Sequence, residues 1–150
     1  MLSQKARYAL SALIELARAG EDRQLTAGEI AVRADLPRKF LEAILLELSR
    51  RRLIISRRGK FGGYALARPP ADISFAEVVR GIDGPLALAP CASQTAFRKC
   101  DTCVSLETCA MRPAWIAARD ATALALEAYT LATAAAHAGP PDEALVVGIG

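Results

Sequence analysis

Apolar residues recur along the first twenty positions at the spacing of a helix. Ala6, Ala9, Leu10, Leu13, Ile14 and Ala17 fall three and four apart, forming one stripe on a 3.6-residue period. Ser3 precedes the stripe as an N-cap and Gly20 ends it, so the pattern predicts a first helix over 3–19. Thr26-Ala27-Gly28-Glu29 has the spacing of a capping box, in which hydroxyl and carboxylate each satisfy an orphan backbone donor. A second helix starts there and reaches about 34. Asp35, Leu36 and Pro37 interrupt the pattern, and a third helix runs from 37 or 38 to 51, with Phe40, Leu41, Ile44, Leu45 and Leu48 on its buried face. Two short helices joined by a tight turn predict a helix-turn-helix.

Leu53, Ile54 and Ile55 are strand-like, as are Tyr64, Ala65, Leu66 and Ala67. Between them Arg57-Arg58-Gly59-Lys60-Phe61-Gly62-Gly63 supplies glycines for a tight tip and three cations, which predicts a basic β-hairpin wing. Ser74-Phe75-Ala76-Glu77 repeats the capping-box spacing and starts a short helix closed by Asp83-Gly84-Pro85. From 111 to 137 there is no Gly, and the only Pro is Pro113, tolerated in a first turn. One long helix of about 40 Å is predicted. Within it Ala118, Ala121, Ala125, Ala128, Ala132 and Ala135 alternate at three and four, flanked by Leu124 and Leu131. Such a stripe admits a second helix at close range, and a homodimer seam is expected. Packing on the chain's own domain is the alternative that periodicity leaves open.

The chain is thus expected to be mainly α with a small β-hairpin wing. Its organisation is a winged helix-turn-helix domain over 1–84, a cysteine-rich loop over 85–110, a dimerisation helix over 111–138 and a flexible tail over 139–150. An aromatic content of only 5 % argues against a barrel or sandwich. No apolar run approaches the ~18 residues of a membrane span, and the opening MLSQKARYAL lacks the apolar core of a secretory signal. A cytoplasmic protein with no membrane partner is expected.

Net charge is only +3, but it is unevenly placed. Residues 1–70 carry 14 Lys or Arg against 7 Asp or Glu, net +7, while residues 71–150 carry 5 against 9, net −4. A basic half beside an acidic one points to a polyanion as partner of the first, random surface variation being the bland alternative. Double-stranded DNA fits, because the second helix of a helix-turn-helix enters the major groove while a wing lies on the neighbouring backbone or minor groove. Arg38 and Lys39, at the exposed start of helix three, can reach guanine edges or phosphates, and Glu42 can accept from cytosine N4. In the wing, Arg57, Arg58 and Lys60 supply charge, with Gly59 and Gly62 permitting close backbone approach. Arg50, Arg51 and Arg52 read instead as charge complementing a helix C-terminus.

Four cysteines, Cys91-x8-Cys100-x2-Cys103-x5-Cys109, fall within nineteen residues. In a reducing compartment they read as metal ligands or redox sensors rather than a disulfide framework. Zinc fingers usually present two separated short pairs, and here the only C-x2-C is Cys100 with Cys103. An iron-sulfur cluster tolerates uneven spacing and adds sensitivity to oxidation, oxygen and nitric oxide. Cluster, zinc and metal-free thiols all stay open on spacing, which favours the cluster. Catalysis is unsupported and no enzyme is expected, since there is a single His, no obvious nucleophile and base pair, and no phosphate-binding glycine loop.

Together these segments resemble the IscR/NsrR/RirA family of bacterial winged-helix iron-sulfur transcription regulators, over roughly 1–137. The likeness rests on Leu2-Ser3-Gln4-Lys5-Ala6-Arg7-Tyr8-Ala9, on Phe40-Leu41-Glu42, on Arg58-Gly59-Lys60-Phe61-Gly62-Gly63-Tyr64, and on a cysteine loop before a long helix. It implies a homodimeric regulator on a palindromic operator, the long helix pairing across the dimer, and a two-iron or four-iron cluster held by Cys91, Cys103 and Cys109. The first gap is longer than the family's usual one and contains Cys100, which becomes the candidate fourth ligand beside an open position. Arg112 stands where some members place a ligating His, and Arg7 and Tyr8 stand where others place an acidic residue. His137 reads as a solvated helix-end residue. A regulator using thiol oxidation or structural zinc is the alternative, and a small iron-sulfur electron carrier or accessory protein, which leaves the basic wing unexplained, is the remote one.

Overall fold

The computed structural model describes residues 2–137. Helices α1 (Gln4–Ala19), α2 (Ala27–Arg33) and α3 (Arg38–Arg50) are followed by strands β1 (Ile54–Arg57) and β2 (Gly63–Leu66). Helices α4 (Phe75–Asp83), α5 (Arg112–Ala128) and α6 (Leu131–Ala136) come next among the described residues, with 3₁₀ turns at Pro70–Asp72 and Pro90–Ala92.

The local signals act as their chemistry dictates. The Ser3 hydroxyl accepts from the Ala6 amide at 3.0 Å, and Gly20 takes φ +86° at the other end of α1. At α2 the box is complete: Glu29 N–H donates to Thr26 Oγ1 at 3.2 Å and Thr26 N–H donates to Glu29 Oε2 at 2.8 Å. At α4 only half of the expected box forms. Ser74 Oγ caps Glu77 N–H at 3.2 Å, but the Glu77 carboxylate turns away to Arg68 Nη2 at 2.5 Å, an opposite charge being a stronger partner than a neutral amide. The hairpin pairs antiparallel with Ile54 opposite Leu66 and Arg57 opposite Gly63. It is tied to the turn before α2 by two hydrogen bonds between Leu25 and Tyr64, at 3.0 and 2.8 Å.

One core runs through these elements. Leu13 of α1, Ile30 of α2, Leu41, Leu45 and Leu48 of α3, Ile54 of β1, Ile73 and Val78 meet there and are shut off from solvent. Phe40, expected on the buried face of α3, is instead 61 % exposed. The buried stripe is Leu41, Ile44, Leu45 and Leu48, and a residue one step before Leu41 is turned out of it by the ~100° a helix rotates per residue.

The long C-terminal helix is not continuous. It breaks at Tyr129, whose backbone is extended, and restarts with Thr130 as N-cap, its hydroxyl accepting from Thr133 N–H at 3.2 Å. Three long-range contacts hold the break. Phe75 N–H donates to the Tyr129 carbonyl and Leu131 N–H to the Ile73 carbonyl, both at 2.9 Å, and the Phe75 and Tyr129 rings meet edge to face at 5.0 Å. These outweigh one more turn of helix through Tyr and Thr, both poor helix formers. As a result α6 folds back against α1, with Leu131 completely buried in the core. The alanine stripe is therefore divided: Ala118, Ala121, Ala125 and Ala128 belong to α5, while Ala132 and Ala135 lie on a helix committed to its own domain. The expected tail over 139–150 lies outside the described residues.

Candidate functional site

The residues read as DNA contacts sit on α3 and on the wing, two elements that pack side by side through β1. Arg38 and Glu42, one turn apart, form an ion pair at 3.3 Å with both side chains largely in solvent. An exposed pair of this kind holds little free energy, so either partner is available to a ligand. Lys39 is exposed in the same turn, and Arg57, Arg58, Gly59 and Lys60 are exposed along the wing, while Gly62 is half-buried. Among the described residues Lys39, Arg57, Arg58 and Lys60 form no ion pair, which leaves four uncompensated cations on this side of the molecule. Arg51, by contrast, is turned back to Glu47 at 3.1 Å, and Lys5 of α1 closes on the same carboxylate. Hydrogen bonding from Lys5 holds the Glu47 carboxyl below its ordinary range, Arg51 adding to the effect and burial opposing it. A shallow apolar recess between α1 and α3, lined by Gln4, Lys5, Tyr8, Phe40, Ala43 and Ile44, adjoins the start of α3. Its exposed ring, Phe40, has the hydrophobic signature of a core residue and sequence periodicity assigned it there.

The cysteine loop is organised around Cys91, the one buried thiol of the four. It lies in the 3₁₀ turn Pro90–Ala92. Hydrogen bonding with the Cys100 thiol, burial, and the proximity of Cys100 and Cys109 push the Cys91 thiol above the usual cysteine range, with the Arg112 guanidinium opposing. Cys103 is joined to Cys100 through a backbone turn, its N–H donating to the Cys100 carbonyl at 3.0 Å. Cys100, expected as a candidate fourth ligand, is first among the groups that raise the Cys91 thiol. The donor types suit a thiolate-bound metal, although among the described residues no three His, Cys, Asp or Glu side chains are already arranged to hold an ion. His137 is exposed at the C-cap of α6, where its carbonyl accepts from Arg18.

Two arginines of α5 grip this loop, and sequence reasoning missed both contacts. Arg112 Nε donates to the Cys91 carbonyl at 3.2 Å, and Arg119 Nη1 donates to the Ala92 carbonyl at 2.5 Å. Asp120 accepts from Arg119 Nε and Nη2 at 2.8 and 2.6 Å, fixing the guanidinium plane. The far face of α5 is bare. None of its residues is fully buried, and Leu124 is 73 % exposed beside Ala121, Ala125 and Ala128.

Comparison with known proteins agrees with this architecture. The chain is 46 % identical over 115 residues to an rrf2-like HTH-type transcriptional regulator of Rhodobacter capsulatus, spanning 75 % of this chain and 77 % of that one. The structure of CymR, the global cysteine regulator of B. subtilis, superposes with a TM-score of 0.74 at 29 % identity, covering 90 % of this chain and 95 % of CymR. IscR of T. potens superposes with a TM-score of 0.69 at 27 % identity, covering 89 % and 85 %. The Rrf2 family, described as iron-dependent transcriptional regulators, matches residues 2–137. With its helix-turn-helix, basic wing and cysteine loop, this chain belongs to the Rrf2 family and is a DNA-binding transcription regulator, not an enzyme.

Proposed function

We propose that the protein is a cytoplasmic homodimer whose affinity for a palindromic operator is set by an iron-sulfur cluster on its cysteine loop. The observation that carries this is the anchoring of the cysteine loop to α5: the turn that holds the buried Cys91 accepts hydrogen bonds from Arg112 and Arg119, and Cys100, Cys103 and Cys109 follow in the same loop. Cys91, Cys103 and Cys109 would hold the group, with Cys100 as fourth ligand. A bound cluster supplies redox and ligand-exchange chemistry responsive to iron supply, oxygen and nitric oxide. The chain's own residues do the rest. Arg38, Lys39 and Glu42 meet base edges and phosphates, and Arg57, Arg58 and Lys60, with Gly59 and Gly62 bringing the backbone close, meet the flanking strand. The bare face of α5 pairs with its counterpart in a second copy, and two recognition helices related by a two-fold axis require a palindromic site.

A thiol-based regulator is the second reading, favoured by four free thiols in one loop, of which Cys100 and Cys109 are near enough to Cys91 to raise its pKa. Protein purified without oxygen separates the two. Iron, sulfide and visible absorbance that vanish in Cys91→Ala, Cys103→Ala and Cys109→Ala support the cluster. Loss in Cys100→Ala as well makes it the fourth ligand. Colourless parent protein with free thiols or zinc supports the second reading.

A further inference from the structure

At the tip of the wing a large apolar ring stands in solvent. The tip is a tight turn in which Gly62 N–H donates to the Gly59 carbonyl at 3.0 Å, so Lys60 and Phe61 are its two projecting residues. Gly59 takes φ +115°, and a methyl group on Gly62 would lie 2.3 Å from the Arg57 carbonyl oxygen, so the turn has little freedom to rearrange. Below it the Leu25–Tyr64 hydrogen bonds anchor the hairpin, and Gly63 lies so close to Leu25 that a Cβ would come within 2.7 Å of its carbonyl. Phe61 is held out on this anchored tip, 87 % exposed, with Lys60 Nζ 5.7 Å from its ring centroid and the exposed Arg57 and Arg58 close by in sequence.

We infer that Phe61 is an apolar minor-groove probe that sets sequence preference beside the operator's major-groove contacts. This rests on the DNA-binding reading of the wing. The three cations draw the tip onto the phosphates, but a phenyl ring gains nothing from phosphates; it needs apolar walls. With α3 in the major groove, the adjacent minor groove supplies them as deoxyribose faces and base edges, in a slot about 6 Å wide. Apolar side chains that enter this groove wedge between base steps and partly unstack them. The cost of opening a step depends on its sequence and is lowest at TA and CA/TG steps, so the ring confers preference there without a hydrogen bond.

The test uses a duplex enriched from a random-sequence pool by the parent protein, with 2-aminopurine placed in turn at each step flanking the half-sites. Phe61→Ala is expected to bind about 5- to 150-fold more weakly, the range of base–aromatic stacking, with an unchanged slope of log affinity against log salt. Lys60→Ala should instead reduce that slope by about 0.9 per lost phosphate contact. The parent should raise 2-aminopurine fluorescence at one step, Phe61→Ala at none, and Phe61→Trp should restore the signal. Phe61→Ala binding and unstacking like the parent overturns the assignment alone. A parent that binds no duplex overturns the DNA-binding reading and the assignment with it.

Discussion

Arg119 shows how a single side chain can link chemistry in a loop to the geometry of a helix. Its guanidinium bonds the carbonyl of the residue after Cys91 while Asp120 fixes its plane, so a shift of the Cys91 turn is felt by α5. Arg119→Gln should therefore leave iron binding intact while shrinking the difference in operator affinity between cluster-loaded and metal-free protein. An affinity ratio equal to the parent's would remove Arg119 from the path. Glu47 is a second residue with a measurable consequence. Because its folded-state pKa is depressed below the ordinary 4.5, it adds stability above that pH and loses it as pH falls through the lower, folded value. Lys5→Met should lower stability near pH 7 by about 1 kcal/mol or less and narrow the loss as pH falls from neutral to below 4.5. Urea midpoints across that range check it, and parallel pH profiles for both proteins would contradict it. Neither arginine contact was legible in the sequence, since a bond from a side chain to a carbonyl more than twenty residues away leaves no local pattern. The capping residues Ser3, Thr26 and Glu29 were legible because their partners lie within three positions.

At the scale of the element, Leu124 and Leu131 make the clearest contrast. They are seven residues apart and equivalent by periodicity, yet one is 73 % exposed and the other wholly buried. The difference comes from the break at Tyr129 and Thr130, whose partners Ile73, Ser74 and Phe75 lie more than fifty residues earlier. An alanine-rich stretch without Gly or Pro carries no sign of such a partner. Leu131→Ala should destabilise the winged domain itself by about 2–5 kcal/mol, as truncation of a fully buried leucine does. Ala125→Glu on α5 should leave domain unfolding nearly unchanged and split the proposed dimer, because it would bury a charge without a counter-ion in that seam. Thermal unfolding and sedimentation read the two effects separately. An Ala125→Glu protein that sediments like the parent would move the interface away from α5.

Across the whole molecule, the helix-turn-helix and wing were readable because their hydrophobic periods, caps and glycines are local. Phe40 was misplaced because an aromatic at the margin of an apolar stripe looks the same whether it enters the core or borders a recess. The basic half of the chain became an exposed cationic surface on α3 and the wing, and the cysteine spacing became a loop gripped by α5. What spacing did not reveal is that Arg112 and Arg119 bond the carbonyls of Cys91 and Ala92. These pieces join a cysteine loop, a bare helix and a DNA-binding domain in one chain, so under the proposed function the state of the first should alter the action of the last. Coupling of this kind is typically 5- to 150-fold. The most direct measurement is the affinity of one protein preparation for one duplex, taken without oxygen in fixed salt, before and after the cluster is removed by chelation. A change in that range, absent in Cys91→Ala, is expected. Equal affinity for the loaded and metal-free forms would contradict it.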